Sequence, residues 1–390
     1  MEIEARIKTD LFNPVHYISL ARAYLEEGDE ERARKIIATK RRLPSENDSV
    51  HFEWGRLCEE LGMARQAVES YEKAIALNPH NPDYHFRIAL LYYERGAWER
   101  VLKHLQKTIS LSPENLEAKG LLSNLYEEMG LKGLSQAIQG KKEKEKFIPR
   151  TLPFQLQKED ASVLLSLFQG REFGYARYKI GEAGHLEVHF IDGLFGYEEI
   201  FKHIKGDETL GVYPLRSDKT VKFSVIRIRI PRGRLLANIK NDGFLAITED
   251  HIHHYAKRIY LTMKGIGLPG YMENSGGRER RIWFFFEEFI PYEFAERFLH
   301  QVLNQVLTPG VDLAVDFLLG FKGSGVGWVD EPVLLPLGIN LETGKRCYFL
   351  NEEGVPHEDQ LLFIHKIRRI SLDSVRFFIK SMRPSRTMRP

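Results

Sequence analysis

The fold of the first third of the chain is decided by residues 54–79, which read WGRLCEELGMARQAVESYEKAIALNP. Gly62, inside this stretch, recurs with a period of 34 residues as Gly28, Gly96 and Gly130. Two apolar positions keep the same register: Tyr24, Cys58, Tyr92 and Tyr126, and Leu20, Trp54, Ile88 and Leu122. Glycine permits a tight turn, and apolar residues fill the seam between packed helices. The period therefore predicts stacked pairs of antiparallel helices.

This register resembles the tetratricopeptide-repeat (TPR) family, most closely in the repeat that contains Ala67, Tyr71, Ala74 and Pro79. The resemblance implies an all-α solenoid of three repeats and a degenerate fourth or capping unit, over about residues 13–140. It also implies that a protein or peptide binds in the groove of the solenoid. Two other roles stay open, namely packing of the repeats against the rest of the chain and formation of a homodimer.

Composition restricts the class of protein. A chain of 390 residues with 43% hydrophobic and 28% charged residues is typical of a globular protein with more than one domain. The net charge of +2 does not mark a nucleic-acid binder, so any basic site is a local patch. No apolar run reaches the length of a membrane span and no secretion leader is evident, so we expect a cytoplasmic protein without a membrane partner. Cys58 and Cys347 predict neither a disulfide nor a cysteine-based zinc site.

A change of pattern near residue 146 predicts a second domain. Residues 141–146, KKEKEK, form a charge run without an apolar stripe. Beyond it, helical patterns alternate with short segments rich in Val, Ile and Phe, such as 186–191, 223–230 and 282–286. We therefore predict a helical repeat domain over residues 1–146 and an α+β domain over residues 147–390.

Six segments of the second domain occur in an order that resembles the archaeo-eukaryotic primase-polymerase domain, in the branch found in TOTE conflict systems. They are LFQGRE at 167–172, GVYPL at 211–215 followed by the strand 221–230, YME at 271–273, IWFFFEE at 282–288, KG at 322–323 through LPL at 335–337, and YFL at 348–350 with 363–371. The resemblance covers about residues 160–380. It implies a multidomain protein whose second domain has an RRM-like α+β core and whose family transfers nucleotides.

The residues do not match the metal chemistry that this resemblance implies. The family holds divalent metal ions with two aspartates at alternate positions of one strand and a third carboxylate, and it presents a nearby histidine to the phosphates of the incoming nucleotide. Here Arg227 and Arg229 stand at the aspartate positions, Arg281 at the histidine position, and Asp316 at the third carboxylate. A guanidinium group offers only hydrogen-bond donors and cannot ligate magnesium. We therefore predict a degenerate site without catalytic residues or cofactor, and Mg²⁺ or Mn²⁺ only if the enzyme is active in an atypical way.

The same arginines predict a site for phosphate groups, because a guanidinium group binds phosphate oxygens through two N–H groups at once. The candidate phosphate-binding residues are Arg227, Arg229, Arg278, Arg280, Arg281 and Lys322. DNA or RNA is the partner that such a patch favours. The opposing interpretation is that the arginines form internal salt bridges with Asp316 and nearby glutamates.

The function predicted from the sequence is a non-catalytic primase-like protein that binds nucleic acid or nucleotide in an arginine-lined cleft and docks a partner through its TPR repeats. One alternative is an active primase-polymerase with an atypical metal site, using carboxylates such as Asp242, Glu249 or Asp250. Another is a protein scaffold that binds no nucleic acid. A zinc site is not expected, because His185 and His189 are predicted to lie apart on a strand.

Overall fold

The structure is a computed structural model that describes residue 7 and residues 10–41, 43–140, 156–322 and 329–381, with the backbone alone at 321, 322, 329 and 330. The chain divides into two compact units, Met1–Asn124 and Leu125–Pro390. The predicted domain boundary at residue 146 lies outside the described residues. Within these ranges, none of the helices has both the length and the apolar character that crossing a bilayer requires.

Helix pairs make up the first unit and follow the period of the sequence. They are α1 Pro14–Glu26 with α2 Glu30–Lys40, α3 Asp48–Glu60 with α4 Ala64–Leu77, and α5 Pro82–Glu94 with α6 Trp98–Leu111. A fourth pair, α7 Leu116–Glu128 and α8 Lys132–Ile138, ends in the second unit, and α8 is the shortest helix of the four pairs. The predicted all-α repeats are confirmed.

Each helix pair repeats the same local signals. Asn13, Asn47 and Asn81 precede the first helix of successive pairs, and each side chain accepts a hydrogen bond from the N–H two residues on. This capping satisfies one of the N–H groups that a helix start leaves unpaired. The four periodic glycines, Gly28, Gly62, Gly96 and Gly130, have φ angles of 79°, 68°, 65° and 71°. Only glycine adopts these angles without steric cost, which explains the period.

The second unit is α+β, as predicted. Its strands are β1 Tyr175–Ile180, β2 Leu186–Ile191, β3 Thr209–Val212, β4 Thr220–Arg229, β5 Tyr271–Asn274, β6 Glu279–Pro291, β7 Ala314–Leu318, β8 Phe321–Lys322, β9 Val329–Asp330, β10 Val333–Leu334 and β11 Tyr348–Leu350. Its further helices are α9 Lys158–Leu167, α10 Tyr197–Lys205, α11 Arg232–Ala237, α12 Asp242–Ile266, α13 Tyr292–Asn304, α14 Gln360–His365 and α15 Leu372–Ser381.

The strands form two larger antiparallel sheets. One has four strands in the order β10-β3-β1-β2, and the other has five in the order β11-β5-β6-β4-β7. In chain order, β4, α12, β5, β6, α13 and β7 form a β-α-β-β-α-β unit with strand order β5-β6-β4-β7, the RRM-like (ferredoxin-like) arrangement. The fold class predicted for this domain is therefore confirmed.

Two apolar cores lie on opposite faces of the five-stranded sheet. Even-numbered residues of the central strands, such as Ile226 and Phe284, pack against α12, α13 and α15. Odd-numbered residues, such as Val225 and Trp283, belong to the second core with α9, α10 and α14. Successive side chains of a strand point to opposite faces, so each central strand contributes to both cores.

Candidate functional site

Four charged residues predicted for the site lie beyond the apolar residues of the second core along the strands, namely Arg227, Arg229, Arg281 and Asp316. In the strand registers, Arg227 of β4 is opposite Arg281 of β6 and Asp316 of β7, and Arg281 is opposite Glu273 of β5. Residues opposite one another in an antiparallel sheet share a face. We call this group the charge cluster; it consists of Arg227, Arg229, Arg281, Asp316, Glu273, Glu279 and Glu331.

One carboxylate oxygen binds both predicted arginines. Arg227 donates to Oδ2 of Asp316 from Nε at 3.2 Å and from Nη2 at 3.0 Å, and Arg229 donates to the same oxygen from Nε at 2.7 Å. Arg227 also lies 3.8 Å from Oε1 of Glu331. Partial burial raises the pKa of Asp316, but the hydrogen bond from Arg229 and the charge of Arg227 outweigh it, so the pKa is lowered. Asp316 is therefore ionised at neutral pH.

The side chains of the charge cluster differ in their exposure to solvent. The side chains of Arg229 and Asp316 are 31% and 32% exposed, whereas that of Arg227 is 17% exposed. Arg281 is buried, at 7% of its residue surface. A ligand in solvent therefore meets Arg229 and Asp316 first.

Arg281 is held by its own strand and by a backbone carbonyl. Its Nε and Nη2 donate to Oε1 of Glu279 at 2.9 and 2.6 Å, and its Nη1 donates to the carbonyl of Leu334 at 3.1 Å. Burial lowers the pKa of Arg281, but Glu279 and Glu273 outweigh burial and raise it. The Arg281 guanidinium group is thus charged and occupied by protein partners.

Glu273 is a buried carboxyl group behind Arg281. Its Oε2 accepts a hydrogen bond from Nε1 of Trp283 at 2.5 Å and lies 3.9 Å from Nη1 of Arg281. Its Oε1 is buried without a hydrogen-bond partner among the described atoms. Burial raises the pKa of Glu273 to about 7, against the charge of Arg281. The three guanidinium groups of the cluster therefore lie beside the carboxyl groups of Asp316, Glu279 and Glu331 and beside Glu273, whose pKa is raised.

Two predicted site residues lie apart from the cluster. Arg280 is adjacent to Arg281 on β6, and alternation turns it to the opposite face of the sheet, where it donates to Asn274 at 3.3 Å. Arg278 donates to Glu249 of α12 at 2.8 Å and to the carbonyl of Met129 at 2.7 Å. The prediction of one patch containing all three neighbouring arginines is corrected by this alternation. The side chain of Lys322 lies outside the described residues.

The described residues do not fit the divalent metal ions that the primase family implies. Within the described ranges, no group of three His, Cys, Asp or Glu side chains is placed to hold a metal ion. The two strand positions that should supply carboxylates supply guanidinium groups, and Oδ2 of Asp316 already accepts three hydrogen bonds. A guanidinium group cannot take a carboxylate's place at magnesium.

Glu279, Glu273 and Glu331 are cluster members that the sequence analysis did not identify. Glu279 precedes Arg281 by two residues on a strand, so alternation alone places it on the same face. Glu273 belongs to the segment 271–273 that carries the family resemblance, but its burial is visible only in the structure. Glu331 lies far along the chain, and no sequence signal connects it with Arg227.

Two known families match parts of the chain. Residues 194–378 match the family described as "TOTE conflict system, Archaeo-Eukaryotic Primase domain", and residues 55–96 match a TPR repeat family. The chain joins a TPR region to an archaeo-eukaryotic primase domain. The primase-domain match contains all seven residues of the charge cluster. No curated protein matches the chain.

Solved structures similar to the chain include the following three. MamA is 22% identical, covers 36% of this chain and 81% of its own length, and has a TM-score of 0.32. YrrB, titled "a TPR protein with an unusual peptide-binding site", is 17% identical, covers 37% of this chain and 86% of its own length, and has a TM-score of 0.29. The Yersinia enterocolitica type III secretion chaperone SycD was solved in complex with a peptide of the translocator YopD. It is 21% identical, covers 33% of this chain and 92% of its own length, and has a TM-score of 0.24.

Proposed function

We propose that the protein is a non-catalytic primase-like protein that binds the phosphate groups of nucleic acid or nucleotides without metal ions, and that its TPR region docks a protein or peptide. One observation carries the proposal: three N–H groups of Arg227 and Arg229 converge on a single oxygen of Asp316. Nucleotidyl transfer in this family needs metal ions held by carboxylates at those two positions. Arginines there give positive charge directly to the place where metal ions balance phosphate charge.

The Asp316 carboxylate lies where we expect a ligand's anionic group to contact Arg227 and Arg229. Guanidinium groups bind carboxylate and phosphate oxygens with the same directional N–H groups. A phosphate group carries more charge and more acceptor oxygens than a carboxylate, so it can exchange with Asp316 at the exposed side of the cluster. Arg229 is the cation in reach of this exchange, because Arg227 and Arg281 are more deeply buried.

Binding of fluorescently labelled single-stranded DNA and RNA at two salt concentrations tests the proposal. Asp316→Asn removes the competing charge and should tighten binding, whereas Arg229→Ala should weaken binding and reduce its salt dependence by about one phosphate contact. Arg376→Ala is the matched control, because Arg376 is a half-exposed arginine on α15 that pairs with Asp373. The proposal is wrong if Asp316→Asn and Arg229→Ala both bind as the control does.

The charge balance of the cluster supports a second candidate function, a protein scaffold that binds no nucleic acid. Every guanidinium group of the cluster already has a carboxylate partner, so internal pairing accounts for the arginines without a ligand. In that case Asp316→Asn lowers stability and leaves nucleic-acid binding unchanged. The binding experiment therefore distinguishes the two functions.

Docking by the TPR region is supported by the charged side chains on the first helices of its repeats. Arg22 on α1 pairs with Glu53 on α3 at 2.5 Å, and Arg87 on α5 lies 3.6 Å from Glu59 on α3. These side chains are partly exposed, so a peptide with complementary charges can exchange with them. Peptide display on the full chain should enrich binders that are lost in Arg87→Glu. Absence of enrichment, or equal enrichment on the variant, would contradict docking at this surface.

A further inference from the structure

The strand β2 forms an edge of the four-stranded sheet within the described part of the chain. Its sequence, LEVHFI, contains no proline or lysine, and its pairing with β1 is continuous, without a bulge. Proline, lysine and bulges usually protect an edge strand from pairing with another chain, and β2 has none of them. Val188 and Phe190 of this strand are 47% and 53% exposed. β2 is thus an open apolar edge with few of the common protections.

The hydrogen-bond pattern shows which backbone groups of β2 face outward. The N–H of Gly181 donates to the carbonyl of His185 at 2.9 Å, in the same register in which β1 pairs with β2. Hydrogen-bonded and non-hydrogen-bonded pairs alternate in an antiparallel ladder. The backbone groups of Glu187 and His189 therefore face β1, whereas those of Leu186, Val188 and Phe190 face away from it.

An acidic side chain of β2 lies between two imidazole rings. Nε2 of His185 lies 3.2 Å from Oε1 of Glu187, and Nε2 of His189 lies 3.2 Å from Oε2 of the same carboxylate. The sequence analysis expected the two histidines to lie apart and did not identify Glu187 as their shared partner. Residues two apart on a strand point to the same face, so Glu187 lies between the two histidines. The three side chains are not placed to hold a metal ion, in keeping with the described residues as a whole.

We propose that β2 pairs with β2 of a second copy of this chain, antiparallel and centred on Val188. In this register Val188 lies opposite Val188 of the second copy, and Leu186 lies opposite Phe190. These are the residues whose backbone groups face outward, so all of them find partners. Glu187 then lies opposite His189 of the second copy, and the symmetry produces this pair twice.

The neighbouring registers that keep the outward backbone groups paired are less favourable. A shift of the second strand in one direction places Glu187 opposite Glu187, and a shift in the other places His189 opposite His189. Two acids directly opposite one another destabilise a strand pair, and the register with His189 opposite His189 loses the contact between Glu187 and His189. The order of apolar, acidic, apolar, basic and apolar residues in 186–190 therefore selects the register centred on Val188.

Apolar side chains beside β2 can extend the contact. Phe173 just before β1, and Leu194 and Tyr197 just after β2, are 50%, 71% and 48% exposed. With Val188 and Phe190 they give the edge more exposed apolar side chains than isolated surface residues would. The inference is independent of the phosphate site, because none of these residues belongs to the charge cluster.

Disulfide cross-linking tests the register directly. In Val188→Cys, the new thiols of two copies face each other across the two-fold axis, so mild oxidation should give a covalent dimer. In Phe190→Cys, the matched control at an equally exposed position of β2, the new thiol faces Leu186 and should give little cross-linking. Cys58 and Cys347 are buried and should not contribute. Equal cross-linking of the two variants, or none in either, would overturn the register.

Sedimentation over a range of concentrations tests the charge pairing in the full chain. His189→Glu places two acids opposite each other twice and should weaken the dimer about tenfold. The exchange Glu187→His with His189→Glu restores both pairs and should restore the dimer. His185→Glu is the matched control. It replaces the other histidine that contacts Glu187 in the same copy, but it does not lie opposite Glu187 of the second copy. A monomer at every concentration, or equal weakening by both single variants at unchanged melting temperature, would overturn the proposal.

Discussion

The two faces of the five-stranded sheet are built by the same strands but differ in chemistry. On the even-numbered face, Ile226, Ile228 and Phe284 continue one apolar core along β4 and β6. On the odd-numbered face, the apolar residues stop at Val225 and Trp283, and the charge cluster follows. The same backbone supports both, so the difference lies in the side chains alone. A core does not require buried charge, and groups of buried charge are commonly found at functional sites, which is why we propose the charge cluster as the site.

The largest expected effect is on the apolar face. Phe284 is fully buried and its ring packs edge-on against Phe298, with centroids 5.1 Å apart. Phe284→Ala should lower the free energy of unfolding by about 3–5 kcal/mol, because it removes buried surface and leaves a cavity. Urea denaturation measures the change. The same substitution at Phe377, which is 72% exposed, should cost under about 0.5 kcal/mol, and equal losses would contradict the assignment of this core.

A buried member of the charge cluster should give the next effect. Arg281→Met leaves Glu279 and the Leu334 carbonyl without their donor, which should cost about 3 kcal/mol. The double variant Glu279→Gln with Arg281→Met should lose less than Arg281→Met alone, because no unpaired carboxylate remains. Urea denaturation of the two variants checks the order. The reverse order would show that Glu279 is not the partner that holds Arg281.

Glu273 should make stability depend on pH. Its folded-state pKa of about 7 is above the ordinary value of 4.5, so the folded protein holds a proton that the unfolded chain releases between these values. Its contribution to stability is therefore present at low pH and is lost as pH rises through about 7. Glu273→Gln, which keeps an acceptor for Trp283, should be more stable than the wild type by about 2 kcal/mol at pH 8 and nearly equal at pH 5. A difference that does not change between pH 5 and pH 8 would contradict the raised pKa.

The smallest expected effect is at the exposed side of the cluster. Arg229→Ala removes a hydrogen bond and ion pair to Asp316, but both side chains are about one-third exposed and Arg227 still holds the carboxylate. The loss should be under about 1 kcal/mol in urea denaturation. A loss as large as that of Arg281→Met would show that Arg229 stabilises the fold as a buried residue does, and would weaken its assignment to ligand binding.

The repeat region was more fully predictable than the cluster, because its signals are local and recur. The 34-residue register of the glycines predicted the helix pairs, and the register of Asn13, Asn47 and Asn81 was available in the same sequence. Each of these residues acts within one helix start or one turn, so its effect can be predicted from the neighbouring sequence without knowledge of distant contacts.

The cluster could be predicted only in part, because it joins residues that are distant in the chain. Alternation and family resemblance together placed Arg227, Arg229 and Asp316 in one site, and the structure brings them together. Arg280 was misplaced because the run 278–281 was treated as one patch, although neighbours on a strand face opposite ways. The partners of Arg227 and Arg281 depend on strand register and on the segment 331–334, which no local pattern specifies.

Titration of Mn²⁺ followed by electron paramagnetic resonance tests the central claim, which is that an arginine–carboxylate cluster stands where the family's metal ions are held. Wild-type protein and Asp316→Asn should leave the same fraction of Mn²⁺ free at every concentration. Arg227→Asp with Arg229→Asp, which restores the family's carboxylates, should bind additional Mn²⁺, and adding Asp316→Asn should reduce that binding. Stoichiometric Mn²⁺ binding by the wild type that Asp316→Asn abolishes would contradict the account.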